Sequence, residues 1–152
     1  MKKTFLFLAA GMIAFAACNK DDNDDNSKTP AEHLKAGKWF LAAETEREQG
    51  NGKDTTYDYM SEYEACELDN YMLFTNDSVT NDNGATKCSP SEAQILHTAV
   101  WSLIDNNSKL VLKFPGGSDT IGVSVLNATT LELKDVEIEN DVTYTFIQRY
   151  KH

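Results

Sequence analysis

From Lys38 onward, apolar and polar residues alternate along most of the chain, and turn-forming residues interrupt the alternation at intervals of about ten. Alternation with a period of two places one set of side chains on one face of a strand, so the pattern reads as a succession of half-buried β-strands. Before it, Thr29-Pro30-Ala31-Glu32 predicts a short helix. Threonine caps the first turn, proline suits the first helical position, and glutamate can reach back to the cap. Gly37 ends it after about two turns. In the first strand Trp39, Leu41 and Ala43 share a face, Asn51-Gly52 predicts a tight hairpin, and a polar strand over 53–60 returns.

Tyr71 to Thr75 predicts a strand that turns at Asn76-Asp77 into Ser78-Val79-Thr80, and Asn83-Gly84 turns the chain again. Ser89-Pro90-Ser91-Glu92 reads as a second capped start, of a short helix or loop to about His97. The plainest strands follow, near 99–104, 110–114, 120–126, 130–138 and 142–150, separated by Asn-, Gly-, Pro- and Asp-rich turns. This order predicts an all-β protein, an antiparallel up-and-down meander of about eight or nine strands with a short N-terminal helix. A sandwich remains the alternative. Closure into a barrel removes both sheet edges and is favoured for strands paired in succession. One strand changes phase: Leu131 and Leu133 are odd-numbered, Val136 and Ile138 even-numbered. An extra residue near Lys134-Asp135 would keep all four inward, so a β-bulge is expected there.

The N-terminus carries a different signal. Lys2 and Lys3 precede thirteen apolar or small residues, Phe5 to Ala17. That length suits a signal-peptide core and falls short of the ~20 residues of a spanning helix. The run ends Phe15-Ala16-Ala17-Cys18, which resembles the bacterial lipobox, with Phe15 where an aliphatic residue is usual. The resemblance implies cleavage before Cys18, lipidation (palmitate among the acyl chains) of its thiol, and a membrane anchor. An ordinary secretory signal with a chance cysteine is the alternative. Asn19 to Asn26 is a polar run with four aspartates among its eight residues, and it reads as a tether over 18–29. Its lysine and acidic run resemble the signal that sends lipoproteins of Bacteroidetes-type bacteria to the surface of the outer membrane; a tether facing the periplasm is the rival. The folded domain is then expected over 30–152.

Charge narrows the partners. Without Lys2 and Lys3 the mature chain has 12 basic against 24 acidic residues, a balance of −12. So acidic a surface repels phosphate backbones, which argues against nucleic-acid binding. Cys66 and Cys88 remain, and an even pair in an exported protein predicts a disulfide. It would close a 21-residue segment and stabilise by roughly 3 kcal/mol through chain entropy. Zinc is the rival, but His33, His97 and His152 have no ligand spacing toward the cysteines.

Several segments together resemble the lipocalin-like domain family of Bacteroidetes-type lipoproteins. They are Gly37-Lys38-Trp39; Cys66-Glu67-Leu68-Asp69-Asn70 with Phe74 and Gly84-Ala85-Thr86-Lys87-Cys88; Trp101-Ser102-Leu103 with Leu110-Val111-Leu112; Leu131-Glu132-Leu133; and Phe146-Ile147-Gln148-Arg149-Tyr150. The resemblance covers roughly 34–150. It implies a barrel closed at one end by Arg149 stacked on Trp39, a cation–π contact of ~1 kcal/mol. It also implies a small apolar ligand at the open end, with Phe74, Trp101, Phe114, Tyr144 and Phe146 lining it or filling the core.

Chemistry is sparse. His97 stands near Ser89, Ser91 and Glu92, but no Gly-x-Ser-x-Gly elbow accompanies it. Asn81-Asp82-Asn83-Gly84 resembles the middle of a calcium loop whose first ligand position would be Val79, which cannot coordinate. Glu137, Glu139 and Asp141 read as a solvated hairpin face. Asp54-Thr55-Thr56, Asp77-Ser78-Val79 and Asp119-Thr120-Ile121 resemble a short O-glycosylation motif. The expected protein is therefore a non-enzymatic, monomeric envelope lipoprotein without metal or cofactor, binding a small or extended ligand. The alternative is an interaction module with a filled barrel, contacting proteins or glycans through its loops.

Overall fold

The computed structural model describes residues 28–152; the export signal, Cys18 and most of the tether lie outside the described residues. Helix α1 (Pro30–Leu34) begins as the sequence predicts. The Thr29 hydroxyl accepts from the Glu32 backbone N–H, and the Glu32 carboxylate accepts from the Thr29 backbone N–H at 2.6 Å. Nine strands follow: β1 (Lys38–Gly50), β2 (Lys53–Asp58), β3 (Tyr71–Phe74), β4 (Val79–Asp82), β5 (Ile95–Ile104), β6 (Lys109–Phe114), β7 (Gly117–Leu126), β8 (Thr130–Glu139) and β9 (Val142–Lys151).

All strand pairs are antiparallel. β1 pairs with β3 through its first residues and with β9 along the opposite edge, so eight strands close into a barrel. β2 is the extra strand, a hairpin arm on the far half of β1, where Thr45 faces Asp58 and Gly50 faces Lys53. The Asn51-Gly52 turn takes positive φ at both residues (50° and 78°), the twist that suits a two-residue hairpin. Asn140 and Asp141 (50° and 63°) repeat this between β8 and β9. The two tips meet, where the Asn51 side-chain amide donates to the Asn140 carbonyl.

The core sits at one end. Trp39, Phe74, Val79, Leu110 and Leu131 are buried near the ends of their strands, and Leu34 of α1 packs among them. The Trp39 indole N–H donates to the Leu34 carbonyl at 2.8 Å, which ties the helix to the barrel floor. Trp101 meets Phe74 edge to face at 5.5 Å and donates to the Thr75 carbonyl.

The expected bulge in β8 is not there. β8 and β9 pair without a shift from Thr130↔Lys151 to Glu139↔Val142. Shifts occur instead in β1 between Leu41 and Ala43, in β7 between Val123 and Val125, and where β4 meets β5. With alternation unbroken, Asp135 and Glu137 share the inner face with Leu131 and Leu133. Val136 and Ile138 point outward, and Ile138 is 76% exposed. The expectation failed because it took apolar side chains to be interior, whereas the interior beside this part of β8 is mixed, lined by Glu44, Asp119 and Asp135 as well as Leu133 and Phe146.

The segment after Pro90 also differs. Ser89 to Glu92 makes one turn, with the Glu92 N–H bonded to the Ser89 carbonyl, and β5 begins at Ile95. His97 therefore belongs to a strand.

Candidate functional site

The open end is built from the second half of β1, the ends of β6 and β8, and the starts of β5, β7 and β9. Two spaces lie there inside the barrel. One, of about 400 Å³, is lined by Glu44, Asp119, Asp135 and Gln148 together with Ile121, Leu133 and Phe146. The other, of about 630 Å³, is lined by Met72, Val79, Ala99, Leu112, Phe114 and Pro115, with Asn81 and His97 at its polar edge. Asp119 lines both, so the two adjoin. Each falls within the size of a small-molecule pocket, and the larger is mainly apolar with few polar groups.

The shift in β1 sets the chemistry of the smaller space. Trp39 and Leu41 face inward; beyond the shift Glu44 and Glu46 occupy the inner face, opposite Gln148 and Phe146. Neutral donors hold both carboxylates. Tyr63 and the Gln148 amide donate to Glu44, and Tyr59 donates to Glu46 at 2.7 Å. Burial, then the hydrogen bond to Glu44, pushes the Tyr63 phenol up to about 12. The Tyr59 phenol is raised by its bond to Glu46, and burial raises Tyr150.

The segment between β2 and β3, which carries Tyr59 and Tyr63, is pinned to the segment between β4 and β5. The Cys66–Cys88 disulfide joins them, with Cα atoms 5.2 Å apart, as the pair left beside Cys18 predicts. Glu64 lies beside the two sulfurs, but these are bonded to each other and offer no thiolate to zinc. The Asp69 carboxylate accepts from the Ala85 and Thr86 N–H groups at 3.0 and 2.8 Å. Gly84, at φ +67°, lies so close that a Cβ would stand 2.3 Å from the Asp69 carbonyl oxygen. The calcium-like segment is absorbed into this joint: Asp82 accepts from Gln94 and from the Gly84 N–H, and the buried Asn83 amide donates to the Ala93 carbonyl.

The expected aromatic set divides. Phe74 and Trp101 belong to the packed end, while Phe114 and Phe146 line the two spaces. Tyr144 lies opposite Glu48 at the rim. The expected contact of Arg149 with Trp39 is not made. Tyr150 faces inward beside Leu41, so its neighbour Arg149 faces outward. There it binds Glu132 at 2.6 Å and holds that carboxyl below its usual range. The ring that covers Trp39 belongs to His152, at 3.8 Å between centroids, with its Nδ1 2.9 Å from the Lys38 carbonyl oxygen. Gly37 makes room, since a Cβ there would meet the His152 ring at 3.1 Å. Sequence reasoning missed Glu44, Asp119 and Asp135 as lining residues; the phase change in β8 was a signal for Asp135, and Glu44 on β1 had none.

A family model described as a lipocalin-like domain matches residues 36–133. The chain belongs to the lipocalin-like domain family. No curated protein matches it. The match runs from Ala36 through β7 into β8, and the closed eight-strand barrel of this lipocalin-like chain is completed by β9.

Proposed function

We propose that this chain is a lipid-anchored envelope lipoprotein whose lipocalin-like barrel holds a small ligand and performs no chemistry on it. One observation carries the ligand reading: the open half of the barrel is hollow. The packed half takes up the large buried side chains, leaving about 630 Å³ of mainly apolar space beside about 400 Å³ of mixed space. A barrel of eight strands is the size at which the interior is either filled or holds one small ligand. The lipobox-like Phe15-Ala16-Ala17-Cys18 supports the anchor, and the acidic residues after it support display at the outer membrane. Acyl chains add ~0.8 kcal/mol per buried CH2, so two or more retain a protein stably.

Two experiments test the reading. Ala99 lines the apolar space, and Ala99→Trp should fill much of it. N-phenyl-1-naphthylamine, a neutral apolar dye, should bind the native chain with enhanced fluorescence and lose at least tenfold in affinity to the filled variant. Equal binding by the two chains would count against an interior site. Separately, labelled palmitate should be incorporated into the native protein and not into Cys18→Ala; equal labelling of the two, or none of either, ends the anchor reading.

A second reading, an interaction module, has one observation in its favour. Ile138 and Val136 are exposed side by side on the outer face of β8, at 76% and 47%. The cavity favours the ligand reading over it.

A further inference from the structure

We infer that the ligand is a cationic amphiphile, with an apolar body in the larger space and a protonated amine at Asp119 and Asp135. This inference rests on the proposed ligand-binding reading and specifies its chemistry. It begins with the inverted polarity of β8. Barrels in water usually turn apolar side chains inward and charged ones outward. The last part of β8 does the reverse: Asp135 lines the cavity and Glu137 shares its face, while Val136 and Ile138 face solvent. An unshifted register maintains this arrangement, although one extra residue would undo it.

The charges inside have no opposite charge beside them. Glu44, Asp119 and Asp135 line the smaller space without a lysine or arginine, and His97 is the one basic side chain lining either space. Both described arginines pair away from the cavity lining, Arg47 with Asp54 and Arg149 with Glu132. Among the described residues, no ion pair reaches Glu44, Glu46, Asp119 or Asp135. Tyrosine and glutamine donors orient Glu44 and Glu46 but leave their charge uncompensated. An entering cation meets carboxylates already in place, whereas an entering carboxylate meets like charge; Asp119 and Asp135 are solvent-exposed at the open end, beside the apolar walls of Ile121, Leu133 and Phe146. Asp119 belongs to both spaces, so a head group beside it leaves the tail in reach of Leu112 and Phe114.

Decylamine, decanol and decanoate share a tail and differ in head-group charge. Their affinities for the full chain carrying Cys18→Ala, which has no acyl chain of its own to enter the barrel, are measured by calorimetry at pH 7 and 0.15 M salt, below micelle formation. Decylammonium should bind at least tenfold more tightly than decanol, a difference of about 1.4 kcal/mol, and decanoate should bind least. In D119N/D135N the ratio of amine to alcohol should fall to within twofold. D77N/D105N removes the same charge from exposed turns at the packed end and should keep the tenfold ratio. Amine and alcohol binding equally to the native chain, decanoate binding best, or D77N/D105N losing the ratio as fully as D119N/D135N would each overturn the inference while leaving a ligand-binding barrel. Failure of all three compounds to bind would instead overturn the ligand-binding reading beneath it.

Discussion

Replacing His152 with alanine uncovers one face of Trp39, the largest side chain of the packed core. The structure sets the size of the effect. The ring centroids are 3.8 Å apart, and a ring pair adds about 0.5–1.5 kcal/mol beyond area burial. The Nδ1 contact with the Lys38 carbonyl is exposed and adds at most about 1 kcal/mol. Together these give a loss of about 1–2 kcal/mol. For a domain of this size that lowers Tm by about 3–8 °C. In a Trp101→Phe background, emission reports Trp39 alone, and it should move to longer wavelength as water reaches the indole. Arg149→Ala is the contrast. Its pair with Glu132 leaves the arginine side chain 47% exposed, so about 0.5–1 kcal/mol is lost and Trp39 emission stays in place. If Arg149→Ala shifts the emission and His152→Ala does not, the cover over Trp39 has been assigned to the wrong residue.

Leu131→Ala, at a fully buried position on the barrel floor, should cost about 2–5 kcal/mol by denaturant unfolding, and a loss under 1 kcal/mol would mean that the floor is not the core. Cys66→Ala/Cys88→Ala should lower stability by roughly 3 kcal/mol and make the segment around Tyr59 and Tyr63 exchange its amide hydrogens faster; unchanged exchange there would show that Asp69 alone pins the two segments. Alkaline pH should destabilise the fold. The folded Tyr63 phenol is pushed up to about 12 and those of Tyr59 and Tyr150 are also raised, so their contribution is full below the ordinary tyrosine value near 10 and fades as pH climbs toward 12. Tyr63→Phe should flatten that part of a Tm-against-pH curve. At the acid end the pair with Arg149 depresses Glu132, so its contribution is present above pH ~4.5 and is lost as pH falls through the lowered value; Arg149→Ala should remove that component from the acid limb.

The strand order was legible because most of the meander obeys the period of two, and its turns carry Asn-Gly and Pro-Gly pairs that few other conformations use. The helix start at Thr29 and the Cys66–Cys88 bond were legible for simple reasons, a capping pattern and the two cysteines that remain beside Cys18. β8 was not. Its phase change had two solutions, a bulge with Val136 and Ile138 inside or an unbroken strand with Asp135 inside, and the rule that apolar residues are interior chose the wrong one. The same rule hid Glu44, because the shift that brings it inward sits between Leu41 and Ala43, in a stretch without glycine or proline to mark it. Arg149 was assigned by resemblance, but one position of alternation separates it from the inner face held by Tyr150. His152 left a single trace, the small residue at Gly37 that admits its ring. The hollow itself cannot be read from composition, since Phe114 and Phe146 serve equally as core or as lining until their positions along the barrel axis are known.

A small molecule received in the open half of this lipocalin-like barrel should survive gentle purification. Native mass spectrometry of the full chain, purified from its own membranes, tests it directly. An adduct of a few hundred daltons is expected, released at higher collision energy and missing from Ala99→Trp. A bare mass in repeated preparations, or an adduct retained unchanged by the filled variant, contradicts it.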